Sequence, residues 1–262
     1  MNDKLKNINF SILDVDKKLN LLVQSYWQVK STLIKPADFL VAPDGAMGLI
    51  INLGDSIKIN TDNKNYTLDY GEIILLGIHD HSISMILQDN CHLLGIRFNP
   101  AGAYCFYKNY YGNLYQNNIF IKDKMLFIEL EKNLVDVKNI FNTYLLNLYT
   151  EDVKLESFIE VLKSIEEKKG NISIEELAGI LDISRRSLDR LFKKYIGTSA
   201  NIYMRIIKIK YTREELRNVK FETLTSVGYN NGYFDQSHFI KEFKTFMQKS
   251  PKEYIKEKKI LS

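Results

Sequence analysis

Apolar and polar positions repeat with a helical period near the C-terminal end of the chain. Phe239, Phe243 and Phe246 are spaced by four and three residues, which predicts one buried stripe on a short helix. Asp235 precedes the stripe and is placed to cap the first-turn amides of that helix. Gly232 supplies a backbone position that takes a positive φ at little cost. The polar side chains between these phenylalanines are therefore expected to face solvent.

The same pattern occurs about fifty residues earlier. Residues 188–193 align with residues 239–244 at an offset of 51, whereas Leu177-Ala178 aligns with Val227-Gly228 at an offset of 50. Ser184 takes the capping position of the earlier copy. The chain therefore contains two helix-turn-helix units, and the second has one extra residue in its turn. An internal repeat supports this interpretation better than either copy alone.

A series of short helices surrounds the two units. The predicted helices cover residues 155–168, 173–181, 184–195, 199–217, 223–231, 235–246 and 251–258. The long helix at 199–217 spans roughly 28 Å at 1.5 Å per residue. This length is close to the roughly 34 Å between successive major-groove faces on one side of a DNA duplex. One chain could therefore read two adjacent major-groove segments.

The N-terminal half has a different pattern, in which short apolar segments are broken by turn residues. Strands are predicted at residues 22–29, 47–52, 56–60, 71–76, 82–87 and 92–98. Turn signals lie at residues 43–45 and 62–65, and residues 1–20 are polar and receive no element. Several short strands in succession indicate an antiparallel β-barrel or sandwich. The fold class is therefore α+β, with a β domain followed by an all-α domain with two helix-turn-helix units.

Between these halves the apolar period becomes heptad-like. The seam comprises Phe127, Leu130, Leu134, Val137, Phe141, Tyr144 and Leu148. Two interpretations stay open: a dimer interface between two copies of the chain, or a helical stripe that packs on its own β domain. The polar residues 151–156 are predicted to be a linker. The predicted domains are residues 1–122, a helical segment and linker at 123–154, and residues 155–262.

Charge is distributed unevenly along the chain. Residues 184–259 carry 18 Lys/Arg against 8 Asp/Glu, whereas residues 1–150 carry 14 against 15. The basic excess coincides with the repeated helices, as binding to phosphates requires. A solvated lysine-rich surface is the alternative, and the repeat favours nucleic acid. Two cysteines without metal-ligand spacing fit a reducing cytoplasm, and neither a signal peptide nor an apolar run of roughly 20 residues indicates a membrane.

The C-terminal part contains a set of short motifs whose residues and spacing match those of a known protein family. They are Leu177-Ala178, Ser184, Leu188-Asp189-Arg190-Leu191-Phe192-Lys193-Lys194, Gly197, Gly232-Tyr233, Ser237, Phe239, Phe243-Lys244 and Ser250-Pro251. With them, residues 155–259 resemble the DNA-binding domain of the AraC/XylS family of transcription regulators. Ala200, Thr212 and Gln248 depart from the proline, alanine and glycine usual in the family. The resemblance implies double-stranded promoter DNA as a partner, and RNA polymerase as a second one.

Part of the N-terminal half also has a family likeness. Tyr26-Trp27 and residues 42–45, 49–55 and 95–104 are similar to the cupin-like sensor domain that precedes some AraC-type DNA-binding domains. A sensor domain implies a small-molecule effector. The candidate pocket residues are Tyr26, Trp27, Phe98 and Tyr104. The alternative is that these aromatic side chains fill the barrel core, as they do in most small barrels.

His79 and His81 would share one face of a strand and form a candidate metal pair. Metal-binding cupins add a glutamate a few residues later and a further histidine, but residues 82–86 contain no glutamate. No metal and no cofactor are therefore expected.

The candidate DNA contacts follow from the two second helices. On the basis of side-chain chemistry, base contacts are assigned to Arg185, Arg186, Asp189, Arg190, Gln236, Ser237, His238 and Lys241. Arginine can bond guanine O6 and N7 with two donors, and glutamine can bond adenine N6 and N7. Phosphate contacts, which position the protein without reading sequence, are assigned to Ser184, Lys193, Lys194, Asp235 and Lys244. Each of these residues could instead be plain solvated surface.

These features predict a cytoplasmic, non-enzymatic, sequence-specific transcription regulator. A ligand or partner of the β domain would change DNA occupancy through the helices near residues 125–168. Two other classes stay open: a cupin-type metal enzyme with a DNA-binding tail, and a DNA-organising protein with weak sequence preference.

Overall fold

A computed structural model describes residues 8–32, 36–217 and 223–261 of the chain. Within these ranges the strands are β1 Ile8–Leu13, β2 Val23–Thr32, β3 Ala37–Val41, β4 Gly48–Asn52, β5 Ile57–Asn60, β6 Asn65–Leu68, β7 Ile73–Leu76, β8 Ile83–Leu87, β9 Asn90–Phe98 and β10 Asn118–Phe120. They form a six-stranded sheet in the order β1-β2-β9-β4-β7-β10 and a four-stranded sheet in the order β3-β8-β5-β6. All of the strand pairs are antiparallel, which confirms the predicted β domain.

The six predicted strands are confirmed to within a few residues, but four further strands were not predicted. They are β1, β3, β6 and β10. In β1, Ile8, Phe10 and Ile12 alternate with Asn9 and Ser11. A period of two is the usual signal of a strand with one apolar face, so this strand could have been found from the sequence.

The central strands of the six-stranded sheet are buried on both of their faces. Ile50 and Ile74 pack towards the four-stranded sheet. Leu49 and Ile51, one position away on β4, belong to the core that the helices cover. Successive side chains on a strand point to opposite faces, so a central strand with two covered faces is apolar at consecutive positions. The resulting order of layers is sheet, sheet, helices.

The described helices are α1 Tyr104–Tyr107, α2 Lys124–Lys132, α3 Val137–Leu148, α4 Val153–Glu167, α5 Ile174–Ile180, α6 Arg185–Tyr195, α7 Ala200–Arg217, α8 Leu224–Asn230, α9 Gln236–Met247 and α10 Pro251–Leu261, with a 3-10 helix at Lys108–Asn113. The predicted C-terminal helices are thus confirmed to within a few residues. Along the described ranges, no helix combines the length and the apolar character needed to cross a membrane.

The heptad-like seam is divided between α2 and α3 and packs largely on its own β domain. The ring of Phe141 lies 5.1 Å from the ring of Tyr26, and the Tyr26 hydroxyl donates to Asn142 Oδ1 over 2.7 Å. Leu130 and Val137 are also buried. The interpretation of the seam as an intramolecular stripe therefore describes the structure.

Four of the six residues of the predicted linker at 151–156 belong to α4, which begins two residues earlier than predicted. Asp152 caps α4, because its carboxylate accepts the amide hydrogen of Lys154 over 3.1 Å. Only residues 149–152 separate α3 from α4. A cap residue and a polar linker residue look alike in sequence, because aspartate is common in both.

The helices of the C-terminal part pack directly on the β domain, and one hydrophobic core includes residues of both. Tyr104 of α1 lies against Tyr195 of α6, with ring centroids 5.0 Å apart. The Ser82 amide donates to the Phe246 carbonyl over 2.8 Å. The β domain therefore contacts α6 and the end of α9, the second helix of each helix-turn-helix unit.

Candidate DNA-binding surface and effector cavity

The first helix-turn-helix unit consists of α5 and α6, joined by residues 181–184. Ser173 and Glu176 form a capping box at the start of α5, in which each satisfies a free amide near the other. Ser184 begins α6 by accepting the Ser187 amide hydrogen over 3.2 Å. Leu188 is fully buried, so the apolar stripe fixes which face of α6 turns outward.

The second unit repeats this arrangement with α8 and α9, joined by the five residues 231–235. Asp235 Oδ1 accepts the His238 amide hydrogen over 2.8 Å. The amide of Tyr233 donates to the Gly228 carbonyl over 3.0 Å, as the amide of Ile183 does to Ala178 over 3.1 Å. The predicted repeat and its one-residue insertion are therefore present in the structure.

The outward face of α6 presents two free guanidinium groups. Arg186 and Arg190 are exposed and lie one helical turn apart. No ion pair engages either of them within the described ranges. Arg185 instead pairs with Glu175 of α5, and Asp189 is half-buried. Arg186 and Arg190 are thus the best placed of the four predicted base contacts on this helix.

On α9 the exposed residues include Gln236, Ser237, His238 and Lys241, as predicted. His238 Nε2 lies 3.2 Å from Glu242 Oε2, and Glu242 is only 8% exposed. This orients the imidazole along its own helix. Gln236 and Lys241 keep their polar groups at the surface, which makes them the stronger candidates for base contact.

The predicted phosphate contacts have different surroundings. Lys193 and Lys244 are exposed on the outer sides of α6 and α9. The oxygens of Ser184 and Asp235 are already bonded to first-turn amides of their own helices. In the structure these two side chains act as the N-caps of α6 and α9.

Lys194 lies in the contact between the two parts of the chain, which departs from the phosphate contact predicted for it. Its Nζ is 2.5 Å from Asp152 Oδ2 and 2.9 Å from the Tyr195 hydroxyl oxygen. The same ammonium group lies 5.2 Å from the centroid of the Tyr104 ring. Lys194 is therefore partly exposed and bonded within the protein, whereas Lys193, its neighbour in sequence, is exposed.

A cavity of about 690 Å³ lies inside the β domain. Its wall is mostly apolar and is built from both sheets, with Phe10, Trp27, Phe39, Val41, Ile83 and Met85 among its residues. This volume and apolar wall are typical of a small-molecule site. Trp27 is the one of the four predicted pocket residues that lines this cavity.

The other three predicted pocket residues do not line this cavity. Tyr26 and Phe98 are fully buried in the core on the helical side of the six-stranded sheet. Tyr26 precedes Trp27 on β2 and points to the opposite face. Tyr104 packs between Tyr111 and Tyr195. These three residues therefore pack against the helices and not around the cavity.

The cavity wall contains a few polar side chains that sequence reasoning had not assigned to it. Arg97 Nη2 lies 2.5 Å from Asp44 Oδ2, and Arg97 Nε donates to Gln24 Oε1 over 2.6 Å. His79 and His81 also line the cavity. In the described part of the chain, no group of three or more His, Cys, Asp or Glu side chains is arranged to hold a metal ion.

Comparison with known families gives two matches. Residues 177–257 match a family described as a helix-turn-helix domain, which contains both units. Residues 15–120 match a family described as a domain of unknown function (DUF6597), which corresponds to the β domain.

The relatives in sequence include operon activators of Pseudomonas putida. XylDLEGF operon transcriptional activator 1 is 32% identical over 107 residues, which cover 40% of this chain and 32% of the relative. XylDLEGF operon transcriptional activator 3 is 29% identical over 131 residues, which cover 46% of this chain and 40% of the relative. The chain thus spans between about a third and two fifths of the length of these relatives.

The solved structures extend the likeness to the whole fold. ToxT from Vibrio cholerae has a TM-score of 0.52 at 15% identity, and the match covers 95% of this chain and 98% of ToxT. ToxT bound to (E)-4-(8-methylnaphthalen-1-yl)but-3-enoic acid has a TM-score of 0.50 at 16% identity, with the same coverage. The repeated helices, the family match and these relatives agree that the C-terminal part of the chain is a helix-turn-helix domain of the AraC/XylS type.

Proposed function

We propose that this chain is a sequence-specific DNA-binding transcription regulator whose β domain binds a small-molecule effector. The observation that carries the proposal is the pair of capped helices α6 and α9, each with a buried apolar stripe and an exposed face that bears arginine, glutamine or lysine. Base edges in a major groove accept hydrogen bonds from such groups. The proposal assigns no catalytic role to the chain.

The likeness to operon activators supports a role in controlling transcription from promoter DNA in the cytoplasm. RNA polymerase is the second partner that an activator would need. The cavity inside the β domain supports an effector, and the related fold of ToxT has been solved with an apolar carboxylic acid bound. A homodimer is part of the same proposal, and the exposed side chains of Met125 and Val135 supply apolar surface for it.

The test begins with an operator, obtained by mapping the sites that the full-length protein occupies in its own genome. Affinities for an operator duplex and for a scrambled duplex are then measured by fluorescence anisotropy at one salt concentration. We expect a ratio of at least about 10³ in favour of the operator. Equal affinities would instead indicate a DNA-organising protein.

Arg190→Ala tests the assignment of α6. If Arg190 bonds a base, the substitution weakens operator binding by about 1–3 kcal/mol and relaxes specificity at one position. Lys132→Ala is the control, because it removes an exposed cation from α2, outside the helix-turn-helix domain. The assignment is wrong if Arg190→Ala binds the operator as tightly as Lys132→Ala does and the two variants show the same ratio of operator affinity to scrambled-duplex affinity.

A further inference from the structure

Phe234 is the most exposed of the large apolar side chains in the described part of the two helix-turn-helix units. It is 86% exposed, against 61% for Tyr229 and 42% for Ile180. A single apolar side chain at a protein surface is common. This one, however, directly precedes Asp235, the cap of a helix whose outer face bears predicted base contacts. Its surroundings decide whether the ring has a role within the fold or outside it.

The usual role of an apolar residue before a helix cap is taken by the neighbour of Phe234. Such a residue commonly packs on the fourth residue of the helix that follows. In the first unit Ile183 directly precedes the cap of α6 and packs against the core. In the second unit Tyr233 contacts Phe239, the fourth residue of α9, with ring centroids 5.4 Å apart. The extra turn residue therefore leaves Phe234 outside the packing of its own domain.

The position of Phe234 places it on the surface that faces DNA. It lies at the N-terminal end of α9, two residues before Gln236 and three before Ser237, and all three side chains are exposed. In helix-turn-helix proteins the N-terminal residues of the second helix contact the base edges of the major groove. The ring is thus continuous with the polar side chains that are assigned to base contact on this helix.

We propose that Phe234 packs on the C5-methyl group of a thymine in the operator segment that the second unit reads. A phenylalanine ring has no hydrogen-bond donor for phosphate oxygens or polar base edges. The apolar group that a base pair presents in the major groove is the thymine methyl. Apolar wedges between base steps belong to proteins that bind the minor groove. The inference rests on the proposed DNA-binding function and adds a residue that determines specificity.

The two units consequently read DNA in different ways. The turn of the first unit is one residue shorter, and the position before its cap is filled by the half-buried Ile183. That unit presents Arg186 and Arg190, whereas the second presents Gln236 and an exposed aromatic ring. A thymine read through its methyl group is therefore expected in one of the two operator segments and not in the other.

The experiment uses the full chain and the operator obtained by genome mapping. Each thymine of the operator is replaced in turn by deoxyuridine, which removes the methyl group and keeps the base pair. Affinities are measured by fluorescence anisotropy at one salt concentration. We expect one thymine, or two adjacent ones, at which the replacement weakens wild-type binding about fourfold, the effect of one buried methyl group.

Phe234→Ala is expected to bind the unmodified operator about tenfold more weakly than the wild type, because the ring no longer leaves water on binding. In this variant deoxyuridine at the sensitive thymine should have no further effect. Phe234→Leu keeps an apolar side chain and should retain the sensitivity. Val153→Ala is the matched control, since Val153 is 81% exposed and lies outside both helix-turn-helix units. It is expected to bind every duplex as the wild type does.

Three results would overturn the thymine contact. Phe234→Ala could bind the operator as tightly as Val153→Ala does, or every deoxyuridine could weaken the wild type and Phe234→Ala equally. The third is a loss of the same factor on the operator and on a scrambled duplex, which would assign the ring to the DNA backbone. The wild-type preference for the operator tells the two proposals apart. If that preference is absent, the regulator proposal fails as well, whereas any of the three results beside a normal preference removes the thymine contact alone.

Discussion

Gly232 illustrates how a single backbone position shapes the second helix-turn-helix unit. Its φ of +74° lies in the left-handed region, and an added Cβ would lie 2.1 Å from Asn171 Oδ1. The sequence predicted the positive φ, since the turn before a capped helix needs a permissive residue. The close approach of Asn171 could not be predicted, because it depends on how two segments 61 positions apart pack together.

Gly232→Ala is therefore expected to destabilise the protein by about 1–2 kcal/mol, owing to the cost of a left-handed alanine. Gly179→Ala is the matched control. Gly179 lies inside α5, and an added Cβ there has no heavy atom within 4 Å. Alanine in a helix interior should stabilise by about 0.5–1 kcal/mol relative to glycine. Urea unfolding midpoints of both variants provide the measurement, and shifts of the same sign would contradict the conformational argument.

At the scale of elements, the predictions that were confirmed are those that depend on local signals. The stripe of Phe239, Phe243 and Phe246 and the cap at Asp235 specify α9 without any reference to the remainder of the fold. The orientation of the strands was harder to predict from the sequence, because the central sheet has two apolar faces. Tyr26 and Trp27 look alike in sequence, yet one faces the helices and the other the cavity. Which face is which depends on the layers that cover the sheet.

Asp235→Ala is expected to weaken α9 by about 1 kcal/mol, because the His238 amide loses its acceptor. Asp235→Asn is the control, since asparagine caps nearly as well. Operator affinity should fall in Asp235→Ala, because the exposed residues of α9 are then less well ordered. A loss of equal size in Asp235→Asn would mean that the carboxylate charge, rather than the cap, is what matters at this position.

At the scale of the whole molecule, the β domain and the helix-turn-helix domain are connected by polar contacts that no local sequence pattern predicts. Lys193 and Lys194 look alike in sequence, but Lys193 is exposed, whereas Lys194 is half-buried and contacts Asp152, Tyr195 and Tyr104. The sequence predicted that a ligand or partner of the β domain would change DNA occupancy through the helices near residues 125–168. The structure adds contacts of the strand domain itself with α9, at Ser82 and Asp62.

The contact between Asp152 and Lys194 makes the stability of the protein dependent on pH. Burial alone would raise the pKa of Asp152, but hydrogen bonds from Lys194 and Tyr195 outweigh it and the pKa is lowered. A carboxyl whose pKa is lower in the folded than in the unfolded state contributes stability above its unfolded value, near 3.9. That contribution is lost as the pH falls through the folded pKa.

Asp152→Asn removes this charge and keeps a good helix cap. The free energy of unfolding of the wild type should therefore exceed that of the variant by a constant amount above about pH 5 and converge with it below about pH 4. Glu160→Gln is the control, because Glu160 is an exposed carboxylate of the same helix that pairs with Lys163. An exposed pair contributes only about 0–1 kcal/mol, so its curve should follow that of the wild type closely. If Asp152→Asn and the wild type differ by the same amount at every pH, the ionised carboxylate is not what joins α4 to α6.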